Sequence, residues 1–179
     1  MKQGLATLGL GVLGVVLQGA LPDFLPRSLC PNLLLLLVMA LGLHWSGWSS
    51  GFVLVAALGY VADASSGSLM GQHALVYLMV FAGTALASRP LNLRGRPVLM
   101  LFGFLVTLVA AFALVALTVF FAGAPWPGWG LWPQVGIHAA VNGLLTPFFS
   151  LGVALWLQWL AGDEGSHRPV QLDARPGSV

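Results

Sequence analysis

The chain has 179 residues, of which 58% are hydrophobic and 7% charged. A soluble domain carries about 25% charged residues, so this chain has too little charge to coat a water-facing surface, and lipid is the expected solvent. The net charge of +2 comes with no basic face, which leaves no basis for nucleic acid as a partner.

A bilayer core takes about 20 apolar residues per helix. Gly4–Leu21 fits a first span. Met1 and Lys2 before an apolar run look like a signal peptide, but no clean small-residue cleavage site follows and more apolar segments do. Cys30 is the single cysteine, so it has no internal disulfide partner, and no Cys/His cluster has zinc-site spacing. It reads as a small apolar filler.

The stretch 31–62 is too long for one comfortable helix and short for two. Its middle, "HWSGWSSG", holds two Trp, three Ser and two Gly. Trp prefers the membrane–water interface, and Ser and Gly suit a turn. The reading is two short helices, about 31–43 and 51–62. A fourth segment covers 71–87, a fifth covers 97–122 and is long enough to tilt, and a sixth covers 136–160 and contains Pro147. The expected fold is all-α: a polytopic membrane bundle of six segments over residues 1–161. A polar tail, 162–179, is expected to be disordered and cytoplasmic.

Charge sets the orientation. Arg89, Arg94 and Arg96 share one short loop, and positive loops stay in the cytoplasm. With six segments, that loop lies on the same side as Lys2, Arg168 and Arg175, leaving Arg27 alone opposite. Both termini are therefore expected on the cytoplasmic side of the bacterial inner membrane. A re-entrant hairpin at 31–62 keeps the same parity and stays open. The loop "GAPWPGWGLWPQ" then faces outside as an aromatic cap or as a docking surface.

Asp63 is the only carboxylate between Asp23 and Asp163. It falls at the outer end of the third segment. There it is expected to accept backbone N–H bonds in the turn before the fourth helix, with Ser65, Ser66 and Ser68 in similar roles. The sharper alternative is contact with a partner or substrate. Gly67 and Gly71 form a small-xxx-small step, which lets helices approach closely. His73 is near enough for a weak pair with Asp63, although solvation is the plainer reading. Gln18 reads the same way. His138 and Asn142, four apart, share a helix face and suit interhelical hydrogen bonds or a polar pocket. Pro147 is expected to bend their helix.

"ASSG" with His138 resembles the serine–histidine dyad of rhomboid proteases. Ala64 stands where that motif has Gly, and "HAAVN" is on the last helix rather than an early one, so the reading is set aside. No phosphate loop, carboxylate pair or nucleotide fingerprint is present. Neither an enzyme nor a cofactor is expected.

Three stretches carry a family resemblance. "CPNLLLLLVMALGL", with Pro31 and Asn32, resembles the Pro-Asp/Asn-Leu helix entry of MreD, the rod shape-determining membrane protein of bacteria. "GFVLVAALGYVADASSGSLMGQHAL" resembles its Gly…Gly…Asp…Ser…Leu-x-Gly segment, through Gly59, Asp63, Ser66, Gly67, Leu69 and Gly71. "VNGLLTPFF", with Asn142 and Pro147, resembles its Asn-x-Leu-x-x-Pro step. The resemblance implies a non-enzymatic scaffold of the cell-elongation machinery. It would bind the bitopic protein MreC and, through it, the MreB filament and the RodA–transpeptidase pair that makes peptidoglycan. The family also looks similar to the substrate-binding subunits of energy-coupling-factor vitamin transporters. Such a subunit would need an outward pocket, for which Asp63, His73, Trp126, Trp129 and Asn142 are the candidates. Gly9, Gly11 and Gly14 in the first helix would form a coupling surface or contact MreC.

Overall fold

The computed structural model describes residues 2–24, 26–67, 69–88 and 95–165. Six α-helices follow in order: α1 (Lys2–Ala20), α2 (Leu33–His44), α3 (Trp48–Ser66), α4 (Gln72–Ala87), α5 (Arg96–Ala122) and α6 (Leu131–Gly165). No strand occurs among the described residues. Three stretches are long and apolar enough to cross a membrane: Lys2–Asp23, Arg96–Ala122 and Leu131–Gly162. Arg89, Arg94 and Ser68 lie outside the described residues, as does the expected tail from residue 166 onward.

The leucine run explains the centre of the bundle. Nine consecutive residues of α2, Leu34 to Gly42, are buried. A helix that is apolar all round is stable only when neighbours surround it. Accordingly α2 packs against α6 and α4 and also touches α1, α3 and α5. Leu54, Val55 and Leu58 of α3, Val76, Val80 and Phe81 of α4, and Val153 of α6 complete the core. The outer helices are apolar on the outside. Val16 and Leu17 of α1, Val109 of α5 and Leu155 of α6 are all exposed. That arrangement suits lipid rather than water.

Helices consecutive in the chain run in opposite directions. Gln3, His44, Ser50 and Gln158 line a cavity at one end. Gln18, Asn32, Ser65 and His73 line another at the opposite end. The α2–α3 turn therefore lies level with the start of α1, and this hairpin runs as far as α1 does. Helix α2 has 12 residues, which at 1.5 Å per residue is roughly 18 Å, well short of a hydrocarbon core of about 30 Å. The turn is tighter than expected: α3 begins at Trp48 and ends at Ser66, so Asp63 sits inside its last turn.

Small residues set the closest crossings. A Cβ on Gly103 of α5 would strike Thr146 of α6, and one on Gly143 would meet the Met100 carbonyl at 2.7 Å. Pro147 lies within α6 and lacks the N–H that would bond the carbonyl of Gly143. Two buried threonines satisfy their hydroxyls on the preceding turn: Thr107 donates to the Gly103 carbonyl at 2.7 Å and Thr146 to the Asn142 carbonyl at 2.8 Å. Trp126 of the α5–α6 connection and Trp132 at the start of α6 pack on Phe112, while Trp129 is exposed.

Candidate functional site

Asp63 is 1% exposed. Its carboxylate caps the N-terminus of α4 from across the α3–α4 turn. Oδ2 accepts the Gly71 N–H at 2.9 Å and the Ala74 N–H at 3.3 Å. Oδ1 accepts the His73 N–H at 2.8 Å and His73 Nδ1 at 2.8 Å. A carboxylate only accepts, so Nδ1 carries the proton. The backbone N–H groups at the start of a helix have no partner within it, and negative charge there is favourable. Asp63 meets both requirements at once. The expected backbone bonds are present. The side-chain pair with His73 is well formed, where solvation was the plainer expectation.

The glycines divide the work differently from the expected small-residue step. Gly67 (φ +63°) ends α3 and Gly71 (φ +90°) precedes α4, and a Cβ on either would meet nothing. They are turn residues at left-handed backbone angles, which glycine adopts without strain, and their Cβ positions face open space rather than a helix crossing. Close approach falls to Gly59, one turn before Asp63, where an added Cβ would run into the Ala74 backbone. Ser66 Oγ donates to the Asp63 carbonyl at 3.3 Å, within its own helix turn.

A second group of polar side chains lies beside this cap. Asn32 is the N-cap of α2: its Oδ1 accepts the Leu35 N–H at 3.0 Å. The Asn32 N–H donates to Oδ1 of Asn142, a fully buried residue of α6, at 3.0 Å. That fixes the amide, so Nδ2 of Asn142 faces His138 Nε2 at 3.3 Å. Tyr77 reaches Asn32 Oδ1 with its hydroxyl at 3.4 Å and meets His73 edge-to-face, with ring centroids 5.8 Å apart. A connected series thus runs from Asp63 through His73, Tyr77 and Asn32 to Asn142 and His138. Pro31 stands directly before the Asn32 cap. Pro147 lies one turn beyond Asn142 and makes no bond in the series.

Tyr77 and Gln72 were missed in the sequence. Gln72 Nε2 donates to the Leu114 carbonyl and to Thr118 Oγ1, each at 2.7 Å, tying the start of α4 to α5. One signal for Gln72 was available: an amide in the first turn of an apolar helix needs partners.

Other expectations are corrected. Of the five residues proposed for an outward pocket, only His73 lines the cavity at this end. Asp63 and Asn142 are buried in their own bonds, and Trp126 and Trp129 belong to the α5–α6 connection. Gly11 faces inward onto Leu58, whereas a Cβ on Gly9 would meet nothing, so the α1 glycines do not form one surface. Among the described residues, no group of His, Cys, Asp and Glu is arranged to hold a metal ion.

No curated protein and no solved structure matches the chain. The family model for the rod shape-determining protein MreD matches residues 3–154, which include all three motif stretches and every residue of the connected series. An all-helical bundle with apolar outer faces, built around those motifs and matched over most of its length, is a multi-pass membrane protein that belongs to the MreD family.

Proposed function

We propose that this chain is a non-enzymatic component of the bacterial cell-elongation complex. It sits in the cytoplasmic membrane with both termini inside and binds an MreC-type bitopic protein. Through that partner it connects to the MreB filament and to the RodA–transpeptidase pair, and so helps to organise peptidoglycan synthesis. One observation carries the reading: the three family stretches converge on one end of the bundle, where their polar groups join α2, α3, α4 and α6 to one another. Groups spent in this way hold a shape. The inside position of the termini rests on Lys2 and the arginines of the α4–α5 loop.

Co-purification tests it. The protein is tagged at its N-terminus, extracted gently from native membranes, and its companions are identified. Recovery of an MreC-type protein with elongation components is expected. Their absence, together with normal shape and wall synthesis after deletion in a rod-shaped host, would refute the proposal. A pair of ATPases with a membrane coupling protein would instead favour the transporter-subunit reading, for which the cavity beside Gln18 and His73 is the supporting observation.

A further inference from the structure

The cavity at the capped end has a volume of about 210 Å³. The liquid share of one water is about 30 Å³, so the space suits a small polar group rather than a whole lipid or a large vitamin. Gln18 of α1, Asn32 of α2, Ser65 and Ser66 of α3, and His73 and Tyr77 of α4 line it. Among the described residues, no Lys, Arg, Asp or Glu lines it. An anion therefore meets no Lys or Arg among them. A cation is no better placed, because the nearby Asp63 carboxylate is 1% exposed and already accepts three backbone N–H groups.

Gln18 points to the missing occupant. Its Oε1 is buried and has no hydrogen-bond partner, a state that buried polar groups rarely tolerate. Ser65 uses its proton on the Ala62 carbonyl at 2.9 Å, so its oxygen offers lone pairs to the cavity. Gln18 Oε1 and Ser65 Oγ are both acceptors, so the polar side of this partly apolar lining calls for a donor. A hydroxyl supplies one without bringing charge.

The opening indicates where that hydroxyl comes from. Val15 and Gly19 of α1 form one wall. Gly19 is exposed, and a Cβ there would meet nothing. Immediately beside this wall, Val12, Leu13, Val16 and Leu17 are exposed on α1. An acyl chain can follow that apolar face while its headgroup turns in past Gly19.

We propose that this cavity binds the uncharged, hydroxyl-bearing headgroup of a membrane lipid, with Gln18 as its principal contact. The occupant is held by Gln18 and Ser65 and lies over the Asn32–Tyr77 bond. It closes the gap between α1 and α4 and leaves the Asp63 cap untouched.

Native mass spectrometry of the full-length, delipidated protein tests this. The probes are glucosyl-diacylglycerol, phosphatidylcholine and methyl glucoside. Glucosyl-diacylglycerol is expected to be retained about tenfold better than phosphatidylcholine, and Gln18→Leu is expected to lose about tenfold, the scale of one or two neutral hydrogen bonds. Ser65→Ala, at an exposed position, gives a smaller loss in the same direction without threatening the fold. Equal retention of both lipids, or retention unaffected by either substitution, would overturn the proposal. Binding of methyl glucoside as strong as that of the lipid would overturn the membrane origin of the group.

Discussion

Asp63 and His73 meet twice at one atom: the backbone N–H and the ring Nδ1 of His73 both donate to Asp63 Oδ1, each at 2.8 Å. The second carboxylate oxygen holds Gly71 and Ala74. One side chain thereby fixes both the first turn of α4 and the rotamer of the histidine beside it. Asp63→Ala leaves several buried donors without partners, at about 1–3 kcal/mol for each buried group left unsatisfied. A total loss of about 3 kcal/mol or more is expected. Asp63→Asn keeps one acceptor oxygen but turns an amide NH2 toward backbone donors, so a loss of about half that is expected. Unfolding in detergent, followed by circular dichroism, measures both. Equal losses would show that the charge itself, rather than its acceptor geometry, holds the turn.

Gly59 and Gly9 have opposite expectations. A Cβ on Gly59 would run into the Ala74 backbone, which cannot swing aside as a long side chain can, and overpacking of that kind costs about 1–3 kcal/mol. It would also part α3 from α4 where Asp63 bridges them. Gly9→Ala meets open space and removes a flexible residue from a helix, for a gain of up to about 1 kcal/mol. Melting temperatures should move in opposite directions. If Gly9→Ala melts normally yet co-purifies less partner, that glycine is a contact surface.

The Asn32–Asn142 bond uses the backbone of one residue and the side chain of the other. Asn32→Ser keeps an N-cap but withdraws the acceptor of the Tyr77 hydroxyl, and should cost about 1 kcal/mol. Asn142→Ala strands the Asn32 N–H and should cost about 1–3 kcal/mol, and by the same amount whether residue 32 is Asn or Ser. A double-mutant cycle that gives strong coupling would contradict this bond pattern.

Orientation is testable with single cysteines in a Cys30→Ala background. Ser46, in the α2–α3 turn, should label only when the cytoplasmic face is reached. Gly128, in the α5–α6 connection, should label from outside on intact cells. The reverse pattern would invert the proposed topology.

Much of the fold can be read from the sequence. The leucine run of α2, the turn signal after His44 and the positions of the prolines give six helices with boundaries displaced by a few residues. Asp63 can be read as a cap because it stands alone in an apolar chain just before a glycine-bearing turn. The partnership of Asn32 with Asn142 cannot, since 110 residues separate them and nothing local says which helix faces which. Tyr77 looks like one more aromatic in an apolar helix until folding brings its hydroxyl to Asn32. Gly59 differs from Gly67 and Gly71 for a similar reason: local spacing treats all three as small residues, and only the packed neighbour distinguishes a crossing from a turn.

The shortness of α2 has an electrical consequence. Its start borders the cavity that holds Asn32, and its end borders the larger one, about 550 Å³, that holds His44. The helix between them is roughly 18 Å long, where an ordinary bilayer core is about 30 Å. Were water or polar headgroups to fill both cavities, the membrane potential, worth about 2.3 kcal/mol per elementary charge per 100 mV, would drop over little more than half the usual distance. The bundle would then act as a local lens for the transmembrane field, with the dipoles at the two ends of α2 where that field is steepest.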